Sequence, residues 1–178
     1  TACPTLPSNL QNGLVGYWPF CGNANDASGN GNNGTVNGAT LTTDRFGNAN
    51  SAYSFDGVSS NIYLDLNYNL SSSHTISSWV KFNDPTSAQY LFNTVPHTGY
   101  ALLFNYQCCG GAAANAITYC IGNGQSWNVT CPGSHFSFQN SNQWHQITVV
   151  YEGNNWKFYL NGQLTSEFNF PYQYSTTE

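Results

Sequence analysis

The stretch 13–57 constrains the fold most, because a long polar segment lies between two short aromatic ones. We predict that the aromatic segments, 14–20 and 53–55, are β-strands. The polar segment is rich in Asn, Gly, Asp and Ser, which favour tight turns: Gly tolerates positive φ, and the others bond to nearby backbone. A connection this long in a compact domain is usually functional or held by something such as a metal. The stretch therefore predicts two strands joined by a long, ordered connection.

Short segments with a period of two recur along the rest of the chain. In 75–82, the side chains of Ile76, Val80 and Phe82 share one face, and Trp79 lies on the other, which is typical of a half-buried strand. Asn161-Gly162 is a strong signal for a hairpin turn. Many short strands at regular spacing predict an all-β fold, an antiparallel β-sandwich or jelly roll. The further predicted strands are 62–66, 90–92, 100–106, 147–151, 156–160 and 164–168.

Three segments carry a resemblance to a known family: GLVGYWPF onward through 13–57, TISSWVKF at 75–82, and QWHQITVVYEGNNWKFYLNG at 143–162. They resemble the laminin-G-like domains of the concanavalin A-like lectin/glucanase superfamily, over residues 14–164. The segment 90–138 shows no such match. The resemblance implies a concanavalin A-like jelly roll, often calcium-binding, with a role in recognition or adhesion.

The expected organisation is an extended lead-in, 1–12, followed by one domain, 13–178, which is long enough to bury a core. Laminin-G-like domains usually continue past the hairpin at 158–162 with closing strands, and 163–178 does not match them. Two explanations remain open. The sequence is a fragment, or a neighbouring copy supplies the missing strand by strand addition, with the lead-in as one possible donor. Such head-to-tail contacts would generate a filament.

Charge excludes two classes of partner. Only 6% of the residues are charged, the net charge is −5, and Lys and Arg together number three. A nucleic-acid surface needs a patch of basic residues, and so does docking on anionic lipid. No apolar run is long enough to span a bilayer. We therefore expect neither nucleic acid nor membrane insertion.

Six cysteines without zinc-finger spacing predict a disulfide-stapled chain from an oxidising compartment, so we expect a secreted or surface-displayed protein. Thr1 reads as a mature end after processing. Proximity makes Cys3–Cys21 the expected first bridge, and the other four allow three pairings that remain open. Sequons make Asn33, Asn69 and Asn128 candidate glycosylation sites. The remaining cysteines are Cys108, Cys109, Cys120 and Cys131.

One segment has the pattern of a calcium loop. Asp26, Ser28 and Asn30 place oxygen-bearing side chains at alternate positions before a glycine. Position twelve would be Asn37 rather than the bidentate Glu of an EF-hand, so an EF-hand is excluded. A β-domain calcium site completed by Asp56 is one interpretation. The other is a turn held by its own hydrogen bonds.

Catalysis has little support in the sequence. Glycosidases of this superfamily alternate acidic residues along one strand, whereas Glu152, Glu167 and Glu178 are isolated here. The four histidines lack the spacing of a zinc site. We therefore expect no enzymatic activity.

Sugar binding is the leading functional hypothesis, because sugar rings stack on aromatic side chains while Asn, Asp and Gln bind their hydroxyls. Tyr68, Tyr106 and Trp127 adjoin predicted loops and are the candidate ligand-binding residues, whereas Trp79 and Trp156 are assigned to structure. The expected partners are glycans or surface glycoproteins. The rival hypothesis is a structural subunit that binds copies of itself in an extracellular filament.

Overall fold

A computed structural model describes residues 3–66, 73–83, 89–93, 100–104, 116–121, 136–137 and 142–169. The chain separates into two compact units, Thr1–Tyr68 and Asn69–Glu178. Within the described ranges, the only helix is a single 3₁₀ turn at Ser8–Leu10, and every pairing between named strands is antiparallel. The prediction of an all-β antiparallel fold is confirmed.

The first unit holds two pairs of short strands. β1 (Gly34–Asn37) pairs with β4 (Asn61–Leu64), and β2 (Thr40–Thr42) pairs with β3 (Ala52–Ser54). Gly34 is required at its position, because a Cβ there would come within 2.7 Å of the Ile62 side chain and 3.0 Å of the Ala24 side chain. The close packing of β1 against its neighbours thus depends on glycine at position 34, because glycine has no Cβ.

The predicted strand at 14–20 is wrong, since these residues have no strand ladder. Their backbone groups are occupied by side chains of the polar connection instead. The amide of Asn32 donates to the carbonyl of Val15 at 2.8 Å, and the backbone N–H of Tyr17 donates to the carboxylate of Asp26 at 2.9 Å. Once these groups are satisfied by side chains, they are not available for a neighbouring strand.

The lead-in is attached to the first unit by the predicted disulfide, which is confirmed. Cys3 and Cys21 are bridged, with their Cα atoms 5.8 Å apart. The hydroxyl of Tyr17 also donates to the carbonyl of Pro4 at 3.0 Å. A covalent bond and a hydrogen bond therefore anchor the lead-in within its own chain.

The second unit contains two four-stranded sheets. The first has the order β12-β11-β10-β5 and the second β6-β7-β8-β9. Six of these strands overlap predicted ones, whereas β8 and β9 lie in a region where no strand was predicted. The strands are β5 (His74–Lys81), β6 (Gln89–Asn93), β7 (Tyr100–Phe104), β8 (Ala116–Ile121), β9 (Phe136–Ser137), β10 (Trp144–Glu152), β11 (Asn155–Leu160) and β12 (Gln163–Asn169).

Two tight hairpins fix the register of the first sheet. Gly153 and Asn154, which join β10 to β11, have φ values of 54° and 73°. Asn161 and Gly162, which join β11 to β12, have φ values of 51° and 79°. Positive φ at both central residues matches the strand twist, which is why Asn and Gly are favoured there. The hairpin predicted at Asn161-Gly162 is confirmed.

The core of the second unit lies on one face of this sheet. Ile147 and Val149 of β10 and Trp156 and Phe158 of β11 are fully buried, and Phe82 is nearly so. Leu91 and Phe92 of β6, in the other sheet, pack against this cluster. Two layers therefore enclose the apolar residues, as expected for a β-sandwich. The opposite face of the β12-β11-β10-β5 sheet is called the outer face below.

Candidate functional site

The outer face carries the side chains that alternate with the core residues. Trp79 of β5 lies opposite Gln146 of β10, and Ser77 lies opposite Thr148. Thr148 lies opposite Tyr159 of β11 on its other side. Because cross-strand partners project from the same side of a sheet, these five residues form two neighbouring rows on the outer face.

Trp79 is the most distinctive residue of these rows. Its side chain is 39% exposed, whereas Trp156 on the inner face is 1% exposed. The sequence assigned both tryptophans to structure, and this is correct for Trp156. For Trp79 the exposure leaves a large part of an apolar aromatic surface facing solvent, where a ligand can stack on it.

Hydroxyl and amide groups next to Trp79 form a connected set. The hydroxyls of Ser77 and Thr148 are 2.8 Å apart, and the amide of Gln146 donates to Ser77 at 3.4 Å. The backbone of Gln146 is fixed on its other side, where its N–H donates to the side chain of Asn161 at 2.9 Å. These hydroxyls and this amide are both donors and acceptors, which is the hydrogen-bonding chemistry that a sugar hydroxyl needs.

A second tryptophan borders the rows. Trp144, at the start of β10, lies opposite Lys81 of β5, and the Lys81 ammonium lies 5.8 Å from the centre of the Trp144 ring. Trp144 is two residues from Gln146 and therefore diagonal to Trp79 across the strand pair. Diagonal neighbours in a sheet are about 7–8 Å apart, which is within reach of aromatic side chains.

The opposite border of the face is a neutralised charge pair. Lys157 of β11 and Glu167 of β12 lie 3.7 Å apart. The amide of Asn155 also donates to Glu167 at 2.6 Å. The surface between Lys81 and this pair presents aromatic rings, hydroxyls and an amide. In chemical terms, the outer face offers stacking surfaces and neutral hydrogen-bonding groups side by side.

The predicted calcium loop has a different organisation. Both oxygens of Asp26 accept hydrogen bonds: Oδ1 accepts from the backbone of Tyr17 and Ser28, and Oδ2 accepts from the Ser28 hydroxyl and the backbone of Asn32. All four bonds are between 2.8 and 3.0 Å. A carboxylate offers about four lone-pair positions, so this arrangement occupies them all.

The two other predicted ligands near Asp26 also make hydrogen bonds within the first unit, Ser28 through its oxygen and Asn30 through its amide nitrogen. Ser28 accepts a bond from the backbone N–H of Asn30 at 3.2 Å, and the Asn30 amide donates to the carbonyls of Leu14 and Val15. A bound Ca²⁺ needs six to eight oxygen ligands, several of them charged. The observed arrangement does not fit that requirement, because the carboxylate is already saturated by N–H and O–H donors.

Asp56, the fourth predicted ligand, organises a separate turn. Its Oδ1 accepts the backbone N–H groups of Val58, Ser59 and Ser60, each at 2.9 Å. The hydroxyls of Ser59 and Ser60 also donate to its carboxylate. All of these bonds lie within 56–60. In the described ranges, no three His, Cys, Asp or Glu side chains gather in a group that could hold a metal ion.

Electrostatics separates these carboxylates from ordinary surface ones. Burial alone would raise the pKa of Asp26, but the donors from Tyr17, Ser28 and Asn32 outweigh it and lower the pKa. The backbone N–H groups of Ser60, Val58 and Ser59 lower the pKa of Asp56 far below its usual value. Both groups therefore remain ionised under mildly acidic conditions, as anions surrounded by N–H donors.

Several predicted residues lie outside the described ranges. These are the ligand-binding candidates Tyr68, Tyr106 and Trp127, the sequons at Asn69 and Asn128, and Cys108, Cys109 and Cys131; Cys120 lies on β8, but its side chain is outside the description. Asn33 is described and exposed, and its side-chain oxygen accepts the N–H of Asp26 at 2.9 Å. Glycosylation there stays a prediction.

The sequence itself contains a signal for the exposure of Trp79. The alternation in 75–82 already placed Trp79 opposite Ile76, Val80 and Phe82, so it had to face away from the core if those residues faced inward. Large aromatic residues lie in the core more often than at the surface. For this reason Trp79 is assigned to structure from the sequence alone, despite the alternation. The pairing of β5 with β10 resolves the conflict in favour of the outer face.

Comparison with known proteins agrees with the fold. A laminin-G-type family model described as concanavalin A-like lectin/glucanases superfamily matches residues 55–178, well over half of the chain. The match includes all of the second unit, whereas the polar connection before residue 55 lies outside it. A search of curated proteins finds no match.

Two general conclusions follow, one for function and one for location. The matched family supports a module that binds carbohydrate or another ligand, and the superfamily includes both lectins and glycosidases. The Cys3–Cys21 disulfide and the laminin-G-like domain fit an extracellular location. Within the described residues, no helix has the length and apolar character needed to cross a membrane. The match and the antiparallel sheets together show that the chain belongs to the concanavalin A-like lectin/glucanases superfamily.

Proposed function

We propose that the protein is a non-catalytic extracellular recognition or adhesion module that binds glycans on the outer face of its β12-β11-β10-β5 sheet. The observation that carries the proposal is Trp79, an exposed indole beside Gln146 and the hydroxyl pair of Ser77 and Thr148. A sugar ring has an apolar face and a rim of hydroxyls. The outer face has a matching surface for each.

The rigid setting of these groups supports the proposal. β5 and β10 pair along eight residues, so the backbone beneath Trp79 and Gln146 is fixed before a ligand arrives. Binding costs less when the groups that meet the ligand need little ordering. The exposed indole also sheds water when it is covered, which gives a favourable apolar contribution of the kind that burial gives in folding.

Calcium has no part in this proposal and stays a prediction of the sequence. Asp26 accepts four hydrogen bonds that close the loop, and Asp56 closes a turn of its own. These bonds support a loop that needs no cation. Glycan binding on the outer face should accordingly be insensitive to EDTA.

Binding to a glycan array by three forms of the full chain tests the proposal: the native protein, Trp79→Ala and Tyr63→Ala. Tyr63 is the matched control, because it is an aromatic residue on a strand of the first unit and is 59% exposed. We expect Trp79→Ala to weaken binding at least about tenfold, which corresponds to about 1.4 kcal/mol. Tyr63→Ala should bind as the native protein does.

Two outcomes would contradict the proposal. Binding of Trp79→Ala at native strength would place the site elsewhere, and an absence of binding across the array would leave the outer face without a glycan ligand.

The non-catalytic part of the proposal has its own test, since glycosidic hydrolysis creates new reducing ends. Their appearance on incubation of a bound glycan with the protein would show an enzyme.

The second candidate function is a subunit of an extracellular filament. One observation favours it: in the part of the chain that the structure describes, β12 pairs with β11 alone, and Leu164 on β12 is 50% exposed. A strand at the edge of a sheet is a template for pairing with another chain. Light scattering on native material tests this candidate, because a head-to-tail filament is a large assembly and a stable monomer would contradict it.

A further inference from the structure

The charge distribution of the outer face defines the ligand more narrowly. The two central rows, Trp79 with Gln146 and Ser77 with Thr148 and Tyr159, contain no Lys, Arg, Asp or Glu. At one border Lys157 is neutralised by Glu167 at 3.7 Å. At the other border, the Lys81 ammonium lies 5.8 Å from the Trp144 ring. A ligand on the central rows therefore meets aromatic and neutral polar groups.

The shape of the face is equally informative. Trp79 lies on β5 and Tyr159 on β11, two strands away in the order β11-β10-β5. Neighbouring strands are about 4.8 Å apart, so these aromatic positions are separated by about 10 Å across the sheet. That span is wider than a single pyranose ring. Leu164 on β12 continues the second row to the sheet edge, where it is half exposed.

From these observations we infer that the outer face binds the internal part of an uncharged polysaccharide chain, laid across the strands. The inference rests on the proposed function and narrows its ligand class. A chain laid in this direction stacks one unit on Trp79 and reaches Tyr159 with another. Gln146 and Thr148 lie on β10, between the strands that carry the two aromatic residues, and Ser77 lies two residues from Trp79 on β5. These three side chains take the intervening hydroxyls.

Net charge argues against an acidic polysaccharide. The chain carries −5 with only three basic residues, so a polyanion is repelled at long range. A site for a polyanion needs several Lys or Arg residues, as nucleic-acid surfaces show. On the outer face Lys81 is the basic residue that has no carboxylate opposite it in the strand pairing, since Trp144 is its partner. One ammonium at the border does not make an anion site.

Among the described residues, the outer face presents Trp79 and Leu164 partly exposed on the surface of a sheet, which argues against a single sugar as the ligand. Tight binding of small ligands uses concave sites that bury most of the ligand surface. A sheet face covers only one side of each sugar ring, so each unit contributes little and several are needed. Affinity should therefore increase with chain length until the rows are filled, and monosaccharides should not compete.

The test uses affinity electrophoresis and calorimetry with the full chain and named probes. The uncharged probes are laminarin, xyloglucan and galactomannan, and the acidic ones are polygalacturonate and dextran sulfate. We expect binding to at least one uncharged polymer, with less than twofold change between 50 and 500 mM NaCl. Lys81→Gln should also change that affinity less than twofold, whereas Trp79→Ala should reduce it at least tenfold.

The outcomes separate the inference from the proposed function. Binding confined to an acidic polymer, weakened by salt and by Lys81→Gln but still dependent on Trp79, would overturn the inference and leave the proposed site intact. Equal affinity for a monosaccharide and for its hexasaccharide would overturn the extended mode of binding. If Trp79→Ala bound every probe with the same affinity as the native protein, the proposed function itself would be overturned.

Discussion

Different interactions stabilise the interior of each of the two units. Of the eight hydrophobic residues that are buried within the described ranges, Ala24 and Ala52 belong to the first unit, and both are small. The other six form one cluster in the second unit, which includes Trp156 and Phe158. In place of such a core, the first unit has carboxylates that collect backbone N–H groups, at Asp26, Asp44 and Asp56.

This difference shows where a ligand can be accommodated. In the first unit, the carboxylates of Asp26 and Asp56 accept hydrogen bonds from the backbone of their own loops, and this uses most of their hydrogen-bonding capacity. The buried cluster of the second unit lies on the inner face of its sheet, whereas Trp79 and Leu164 on the outer face are partly exposed. Exposed Trp79 and its polar neighbours can therefore be used for binding.

The largest effect is expected in the core of the second unit. Phe158 is fully buried between Trp156, Phe168 and the rest of the cluster, so Phe158→Ala should destabilise the protein by roughly 3–5 kcal/mol. Leu164→Ala, on the exposed edge strand of the same sheet, is the control and should cost less than about 1 kcal/mol. Urea unfolding measures both, and equal losses would contradict a core confined to the inner face.

A smaller loss is expected when one carboxylate of the first unit is changed. Asp26→Asn keeps the shape but replaces one acceptor oxygen with an amide that faces the donors of Ser28 and Asn32. Bonds to charged groups are worth about 1.5–3 kcal/mol each, partly offset by solvent at this half-buried site, so a loss of roughly 1–3 kcal/mol is expected. The control is Asp65→Asn at an exposed position, and a similar loss there would contradict the special role of Asp26.

Acid should destabilise the protein through the same carboxylates. The pKa values of Asp26, Asp44 and Asp56 are lower than in the unfolded chain, where Asp titrates near about 3.9. Groups with a depressed pKa stabilise the fold fully above that pH, and the stabilisation is lost as the pH falls through the folded values. Thermal unfolding at pH 7, 4 and 3 should show the loss, and Asp56→Asn should reduce its pH dependence.

The smallest effect is expected from calcium. Since the lone pairs of Asp26 are filled by protein donors, millimolar CaCl₂ or EDTA should shift the unfolding temperature by less than about 1 °C. Differential scanning calorimetry with and without calcium measures this. A clear rise with calcium, abolished by Asp26→Asn, would show that the loop rearranges to hold the ion.

Local signals predicted six of the eight strands described in the second unit and the hairpin turn between β11 and β12. Alternation in 75–82 and the Asn-Gly pair at 161–162 are short-range patterns, and each specifies a strand or a turn without help from the rest of the chain. The Cys3–Cys21 bridge was likewise predictable from spacing, because no other cysteine is near either one in the sequence.

Longer-range effects were harder to predict. The segment 14–20 has the composition of a strand, but side chains 9 to 17 residues away take its backbone groups. The alternation of Asp26, Ser28 and Asn30 matches a calcium loop, and the same pattern also matches a carboxylate that binds its own backbone. Only the partners of each atom distinguish them, and sequence does not give those partners.

The central claim, that the ligand lies on the outer face of the second unit and not at the acidic loops of the first, can be tested directly by NMR. The indole N–H signals of Trp79 and Trp144 report on the outer face; that of Trp18, which donates to Asn32 at 2.8 Å, reports on the acidic loop. Titration with a bound polysaccharide should shift the Trp79 and Trp144 signals and leave that of Trp18 unchanged. A shift of Trp18 with Trp79 and Trp144 unmoved would contradict the claim.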